Sequence, residues 1–85
     1  MNTNFSGQYL FDLDSNPKGF IVNANDRVIF IFDFDLNINS FGVRHINGGY
    51  CLFSMDNDFI SHIESNSKGG YNQFDLDNQW TAFIN

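Results

Sequence analysis

Residues 28–35 alternate with a period of two, Val28, Phe30, Phe32 and Phe34 against Ile29, Ile31, Asp33 and Asp35. This spacing predicts a β-strand with four apolar side chains on one face. Tyr9, Phe11 and Leu13 repeat the pattern upstream. Shorter apolar segments follow each such run, around residues 18–24, 38–44, 59–64 and 80–84. Between run and segment stand Asp, Asn and Ser, whose side chains bond their own backbone and tolerate left-handed conformations, so a turn is expected there. Phe59, Ile60 and Ile63 also fit helical spacing, which makes 57–65 the one stretch where a helix competes.

The alternation sits inside a longer period. Phe11, Phe32, Phe53 and Phe74 are 21 residues apart, and each is followed three positions later by an aspartate, Asp14, Asp35, Asp56 and Asp77. An apolar residue lies between them each time: Leu13, Phe34, Met55 and Leu76. Further columns hold Pro17, Ile38, Phe59 and Trp80; then Gly19, Ser40, Ser61 and Ala82; then the rings Phe20, Phe41, His62 and Phe83. Gly48-Gly49-Tyr50 and Gly69-Gly70-Tyr71 match at the end of the unit. The expected fold is all-β, a single domain over residues 1–85 made of four 21-residue β-hairpin repeats. A lone hairpin is marginal in water, so neighbouring units must cover one another. The last strand either pairs with the first to close a small barrel, removing exposed edges, or the units form an open solenoid that stacks with other copies.

Composition agrees with strands. Eleven Phe and eight Ile stand against two Ala, one Glu and two Lys, and thirteen Asn with nine Asp supply frequent turns. Ten acidic against four basic residues leave a formal charge of −6. That balance disfavours nucleic acid, whose affinity depends on Lys and Arg displacing counterions, and favours a basic protein partner. A single cysteine excludes an internal disulfide framework, and with two histidines it cannot assemble a four-ligand Cys/His zinc site. No signal-like N-terminus and no long apolar stretch is present in this sequence, so a cytoplasmic address without membrane association is expected.

The segment Gly42-Val43-Arg44-His45-Ile46-Asn47-Gly48-Gly49-Tyr50-Cys51-Leu52-Phe53 resembles the short repeats of bacterial cell-wall-binding proteins and of the carbohydrate-binding regions of clostridial toxins. A weaker echo runs from Lys68-Gly69-Gly70-Tyr71 to Asp77. The resemblance implies one hairpin per repeat and a module that binds choline or sugars. The paired aromatics of that family are mostly replaced, with Cys51, Leu52, Asn72 and Gln73 following the two tyrosines.

Asp12, Asp14 and Asn16, then Asp33, Asp35 and Asn37, have the spacing that opens a calcium loop. The glycine that such a loop needs is replaced by Pro17 or Ile38, and no bidentate Glu follows, so the pattern reads as an acidic outer strand face entering an Asx turn. His62 occupies a ring column and reads as a packing group. Cys51 is placed on the inward face beside Phe53 as an inert apolar residue, and Trp80 reads as core. No catalytic constellation, metal site or cofactor motif is found. The expected function is a non-enzymatic binding or inhibitory protein, of the toxin-immunity or phage-inhibitor type, whose acidic face masks a basic partner. Its expected contacts are Asp12, Asp14, Asp33, Asp35, Asp75 and Asp77, with Tyr50 and Tyr71 as neighbouring anchors. A glycan-binding repeat module is the alternative, and a homo-oligomer is compatible with either.

Overall fold

The computed structural model describes residues 5–46 and 48–85; Met1–Asn4, in the N-terminal stretch read above for signal features, and Asn47, within the segment of the resemblance, lie outside the described residues. Among the described residues eight antiparallel strands follow in chain order: β1 (Phe5–Asp12), β2 (Pro17–Asn23), β3 (Val28–Phe32), β4 (Ile38–Arg44), β5 (Tyr50–Ser54), β6 (Phe59–Ser65), β7 (Tyr71–Asp75) and β8 (Trp80–Ile84). Among the described residues there is no helix, and 57–65 is turn and strand. Each strand pairs with the next, and β8 pairs with β1 through Leu10↔Ile84, Phe11↔Phe83 and Asp12↔Ala82. Tyr9 and Asn85 extend that seam, each N–H donating to the other's carbonyl at 3.0 Å. The sheet therefore closes into a barrel, the first of the two arrangements that the repeat allowed.

The interior is lined by the faces that alternate opposite the phenylalanines. Ile21, Ile29, Ile31, Leu52, Ile63 and Ile84 form the core with Tyr50, while Leu10 and Tyr71 pack against it. Gly19, Ser40, Ser61 and Ala82, one per repeat, are all buried and supply a small layer. An eight-stranded barrel has an interior just wide enough for side chains to fill, which favours aliphatic and small residues over four rings in one layer. Gly42 marks the limit of that space: a Cβ there would sit 2.8 Å from Leu52 Cδ2 and 2.9 Å from Ile29 Cγ1.

The phenylalanine columns lie outside, contrary to the expectation that Phe53 and its equivalents would share the inward face with Cys51. There they stack across strands in four equivalent pairs. Phe11–Phe83, Phe20–Phe32, Phe41–Phe53 and His62–Phe74 have centroids 5.1, 5.4, 5.4 and 5.5 Å apart. Offset stacking of this kind stabilises by about 0.5–1.5 kcal/mol per pair beyond the area it buries. The equivalence of the four Phe positions holds, and His62 packs as the ring of its column. Cys51, also expected inside, is half-buried on the outer face as the cross-strand partner of His62.

Each hairpin carries a bulge at the same place, and β1–β2 has a second register shift between Phe5 and Tyr9. Leu10↔Gly19 is followed by Phe11↔Pro17, Ile31↔Ser40 by Phe32↔Ile38, Leu52↔Ser61 by Phe53↔Phe59, and Gln73↔Ala82 by Phe74↔Trp80. The extra residue reverses the in–out alternation toward the turn. Trp80, which unbroken alternation would send inward with Ala82 and Ile84, thus stands on the outer face and is 51% exposed, so it is not core.

Candidate functional site

The up-and-down order puts the turns joining β1–β2, β3–β4, β5–β6 and β7–β8 at one end of the barrel and the remaining loops at the other. All four turns share one construction. The N–H of the first residue donates to the carbonyl of the fifth, as Asp12 to Asn16, Asp33 to Asn37, Ser54 to Asp58 and Asp75 to Gln79, at 2.8–3.0 Å. The fourth residue donates back to the first, and it adopts a left-handed conformation in every copy: Ser15, Leu36, Asn57 and Asn78, with φ of 66°, 67°, 70° and 61°. The first side chain closes the turn. Asp12 Oδ1 accepts from the N–H groups of Asp14 and Asn16, Asp33 Oδ1 from those of Asp35 and Asn37, and Asp75 Oδ1 from those of Asp77 and Gln79. Ser54 Oγ does the same for Asp56 and Asp58 at 3.2 Å.

The Asx turn expected for Asp-x-Asp-x-Asn is observed, but the expected acidic outer strand face is not: the six expected contact aspartates lie at strand ends and in the turns, and they divide into two kinds. Asp12, Asp33 and Asp75 are turn-closing groups. Asp12 is held below the ordinary carboxylate value, chiefly by the Asn16 N–H, with the Asn16 amide, the Asp14 N–H and Lys18 adding to it against partial desolvation. Asp14, Asp35 and Asp77 point no carboxylate at any described protein group. Asp56 and Asp58 share that property and complete the ring. Sequence reasoning left these two out of the site although Asp56 occupies the same repeat column as Asp14, Asp35 and Asp77, and that column was the signal available.

The turn end thus gathers eight of the ten acidic residues, against Lys18 alone, which lies 3.6 Å from Asp12. It also displays an apolar rim. Leu13, Phe34, Met55 and Leu76, one per turn, are each about half exposed, and Leu36 is 71% exposed. Phe34 leans on Tyr9 and Phe20 at 6.4 and 6.2 Å, which fixes its ring at the rim. Tyr50 and Tyr71 do not stand beside the aspartates. They begin β5 and β7, at the far end of the barrel, and meet edge to face at 5.9 Å, Tyr50 within the core and Tyr71 packed against it. Burial pushes the Tyr71 hydroxyl above its ordinary value, and the neighbouring Tyr50 adds to this, against the opposing field of Arg44.

The loop end and the walls hold the remaining chemistry. Arg27, Arg44 and Lys68 make no ion pair among the described residues, and Ile46 is almost fully exposed. On the outer wall nearby, Glu64 Oε2 lies 2.6 Å from His62 Nδ1 and 3.3 Å from His45 Nε2, while His62 Nε2 meets Asn78 Oδ1 at 3.1 Å. Among the described residues no group of three His, Cys, Asp or Glu side chains is arranged to hold a metal ion. Along β7 and β8 runs a groove of about 440 Å³, with Trp80 and Phe83 beside Asn66, Lys68, Asn72 and Asn85. The Trp80 indole N–H donates to the Ala82 carbonyl at 2.9 Å, which fixes the ring against the wall. Neither a family model nor a curated protein nor a solved structure matches this chain.

Proposed function

We propose that this chain is a non-catalytic binding or inhibitory protein that covers a basic protein surface with the turn end of its barrel, in the manner of a cytoplasmic toxin-immunity or phage-encoded inhibitor. The observation that carries the reading is the gathering of eight carboxylates at that end, five of them without a partner among the described residues, around a rim of half-exposed apolar side chains. The carboxylates raise the rate of encounter with Lys and Arg, and the apolar rim supplies contacts that slow release. Leu13, Phe34, Met55 and Leu76 take the anchoring role first assigned to Tyr50 and Tyr71. The test is capture of binders from the source lysate at low and high salt, with the native chain and with Asp14, Asp35, Asp56 and Asp77 all replaced by Asn. Basic proteins retained by the native chain at low salt and lost with the variant support the reading; an unchanged set of captured proteins opposes it.

A second reading, a glycan-binding module, is favoured by the groove. In the columns of Asn72 and Asn85 the other repeats carry Tyr9, Phe30 and Cys51, and Val22, Val43 and Glu64, so amides replace mainly apolar groups only beside the tryptophan. An aromatic plate flanked by amides suits a pyranose ring. Trp80 is the sole tryptophan, so its fluorescence reports directly on occupancy. A saturable, salt-insensitive change on adding oligosaccharide, absent from a Phe83→Ala variant, supports this reading, and a flat titration opposes it.

A further inference from the structure

The two ends of the barrel differ in charge as well as in shape. Eight carboxylates and Lys18 occupy the turn end, whereas Arg27, Arg44 and Lys68 occupy the loop end with Asp26 and Glu64, the latter engaged by His45 and His62. Three of the four cationic side chains are therefore as far from the carboxylate ring as the fold permits, and none of the three has an ion-pair partner among the described residues. Apolar groups are matched in the same sense, with exposed Ile46 at the loop end and the Leu13, Phe34, Met55 and Leu76 rim at the other. We propose that the loop end of one copy docks on the turn end of the next, so that the barrel stacks head to tail into short linear chains.

This proposal rests on the reading of the turn end as a surface for basic partners, and it names a second copy of the chain as one such partner. Turn end against turn end is opposed by like charge, so the contact is heterologous and does not close on itself; such contacts build open chains, not defined dimers. The size of the end face limits the strength. A disc 26 Å across offers about 500 Å² per copy, about 1,000 Å² in all, which lies at the lower bound for a specific interface. Association is consequently weak and concentration-dependent.

Salt dependence gives the proposal its signature. Each copy carries −6, and when the screening length is about 30 Å, at roughly 0.01 M salt, whole-molecule repulsion reaches across the contact. At about 0.1 M the length falls to about 10 Å, well short of the 39 Å extent of the molecule, so the distant charge is screened while apposed ends still interact. At about 1 M the end-to-end attraction is screened as well. Association is therefore greatest at intermediate salt.

The experiment is sedimentation equilibrium of the full chain over a wide concentration range at those three ionic strengths. The expected result is a weight-average mass that rises with concentration without a plateau at the dimer, most steeply at the middle salt. Two charge-reversed variants sharpen it: Arg27→Glu with Arg44→Glu at the loop end, and Asp14→Lys, Asp35→Lys, Asp56→Lys and Asp77→Lys at the turn end. Each alone should be monomeric, with circular dichroism confirming the fold, and an equimolar mixture should associate again because unlike ends are restored. A native chain that stays monomeric throughout, a plateau at the dimer, or association that only strengthens with salt overturns the stacking. Those results leave the turn end as a surface for other basic proteins, which the lysate capture tests separately.

Discussion

Phe74 faces Trp80 across the β7–β8 pair, although the residue before it, Gln73, faces Ala82; Thr81 is the residue left over. This offset recurs in all four hairpins and sends the column of Pro17, Ile38, Phe59 and Trp80 outward. A barrel of eight short strands needs strong local curvature to close, and bulges repeated at one level supply it. The same bulges lie next to the turns that carry the free carboxylates, so closure of the fold and presentation of the acidic end share one structural cause.

Gln73 occupies the interior layer held elsewhere by Leu10, Ile31 and Leu52, and its Oε1 is buried without a hydrogen-bond partner among the described residues while Nε2 donates to Ser61 Oγ at 3.2 Å. An unsatisfied buried acceptor costs about 1–3 kcal/mol. Replacing both partners, Gln73→Leu with Ser61→Ala, should stabilise the barrel by about 1 kcal/mol, a rise in Tm of about 4–8 °C for a domain of this size. A thermal melt checks it, and a lower Tm contradicts the account of this layer.

Leu36 holds φ at 67°, a conformation that its equivalents meet with Ser15, Asn57 and Asn78. A branched apolar residue there costs about 1 kcal/mol or more, and its 71% exposure returns little from packing. Leu36→Asn should stabilise by about 1 kcal/mol in urea denaturation. If the exposed leucine serves the rim, the same variant also weakens partner binding.

Acid should loosen the β1–β2 turn. The folded-state value of Asp12 is depressed, so its contribution to stability is fully present above the unfolded carboxylate value of about 4 and is lost as pH falls through the folded value. Ser54 closes the equivalent turn without a charge. Asp12→Ser should therefore preserve the fold and make the decline of Tm below about pH 4 shallower, as read from melts across the acid range.

Calcium should not matter to folding. In three of the turns, the carboxylate that would open a calcium loop already accepts two backbone N–H groups, and the remaining ligands of such a loop are absent from the sequence. Melts in chelator and in millimolar calcium should coincide; a rise of many degrees with calcium contradicts this.

The repeat was legible because Phe11, Phe32, Phe53 and Phe74 recur at a fixed interval with an aspartate three residues on, and this gave the hairpins and their turns. Which face is inside was not legible. Ile29 and Ile31 are as apolar as Phe30 and Phe32, so alternation marks two faces without ranking them, and the narrow lumen of a closed barrel decides. Trp80 was misplaced because it shares a column with Pro17, Ile38 and Phe59, which read as packing positions, and the bulge turns that whole column outward. The aspartate columns pointed to the candidate surface, but only the antiparallel order of the closed sheet brings all four turns to one end and takes Tyr50 and Tyr71 to the other.

The most direct test of the turn end as the binding surface compares two variants with the same net charge. One carries Asp14→Asn, Asp35→Asn, Asp56→Asn and Asp77→Asn; the other carries Ala24→Lys, Asp26→Asn, Ile46→Lys and Ser67→Lys, a like change of charge placed at the loop end. The measurement is the association rate of each with a protein captured by the native chain, followed as a function of salt. A turn-end surface predicts a large loss of rate and a flattened salt dependence for the first variant, with the second close to native. Equal losses in both would show that net charge alone governs binding, and would contradict the assignment of the partner surface to the four acidic turns.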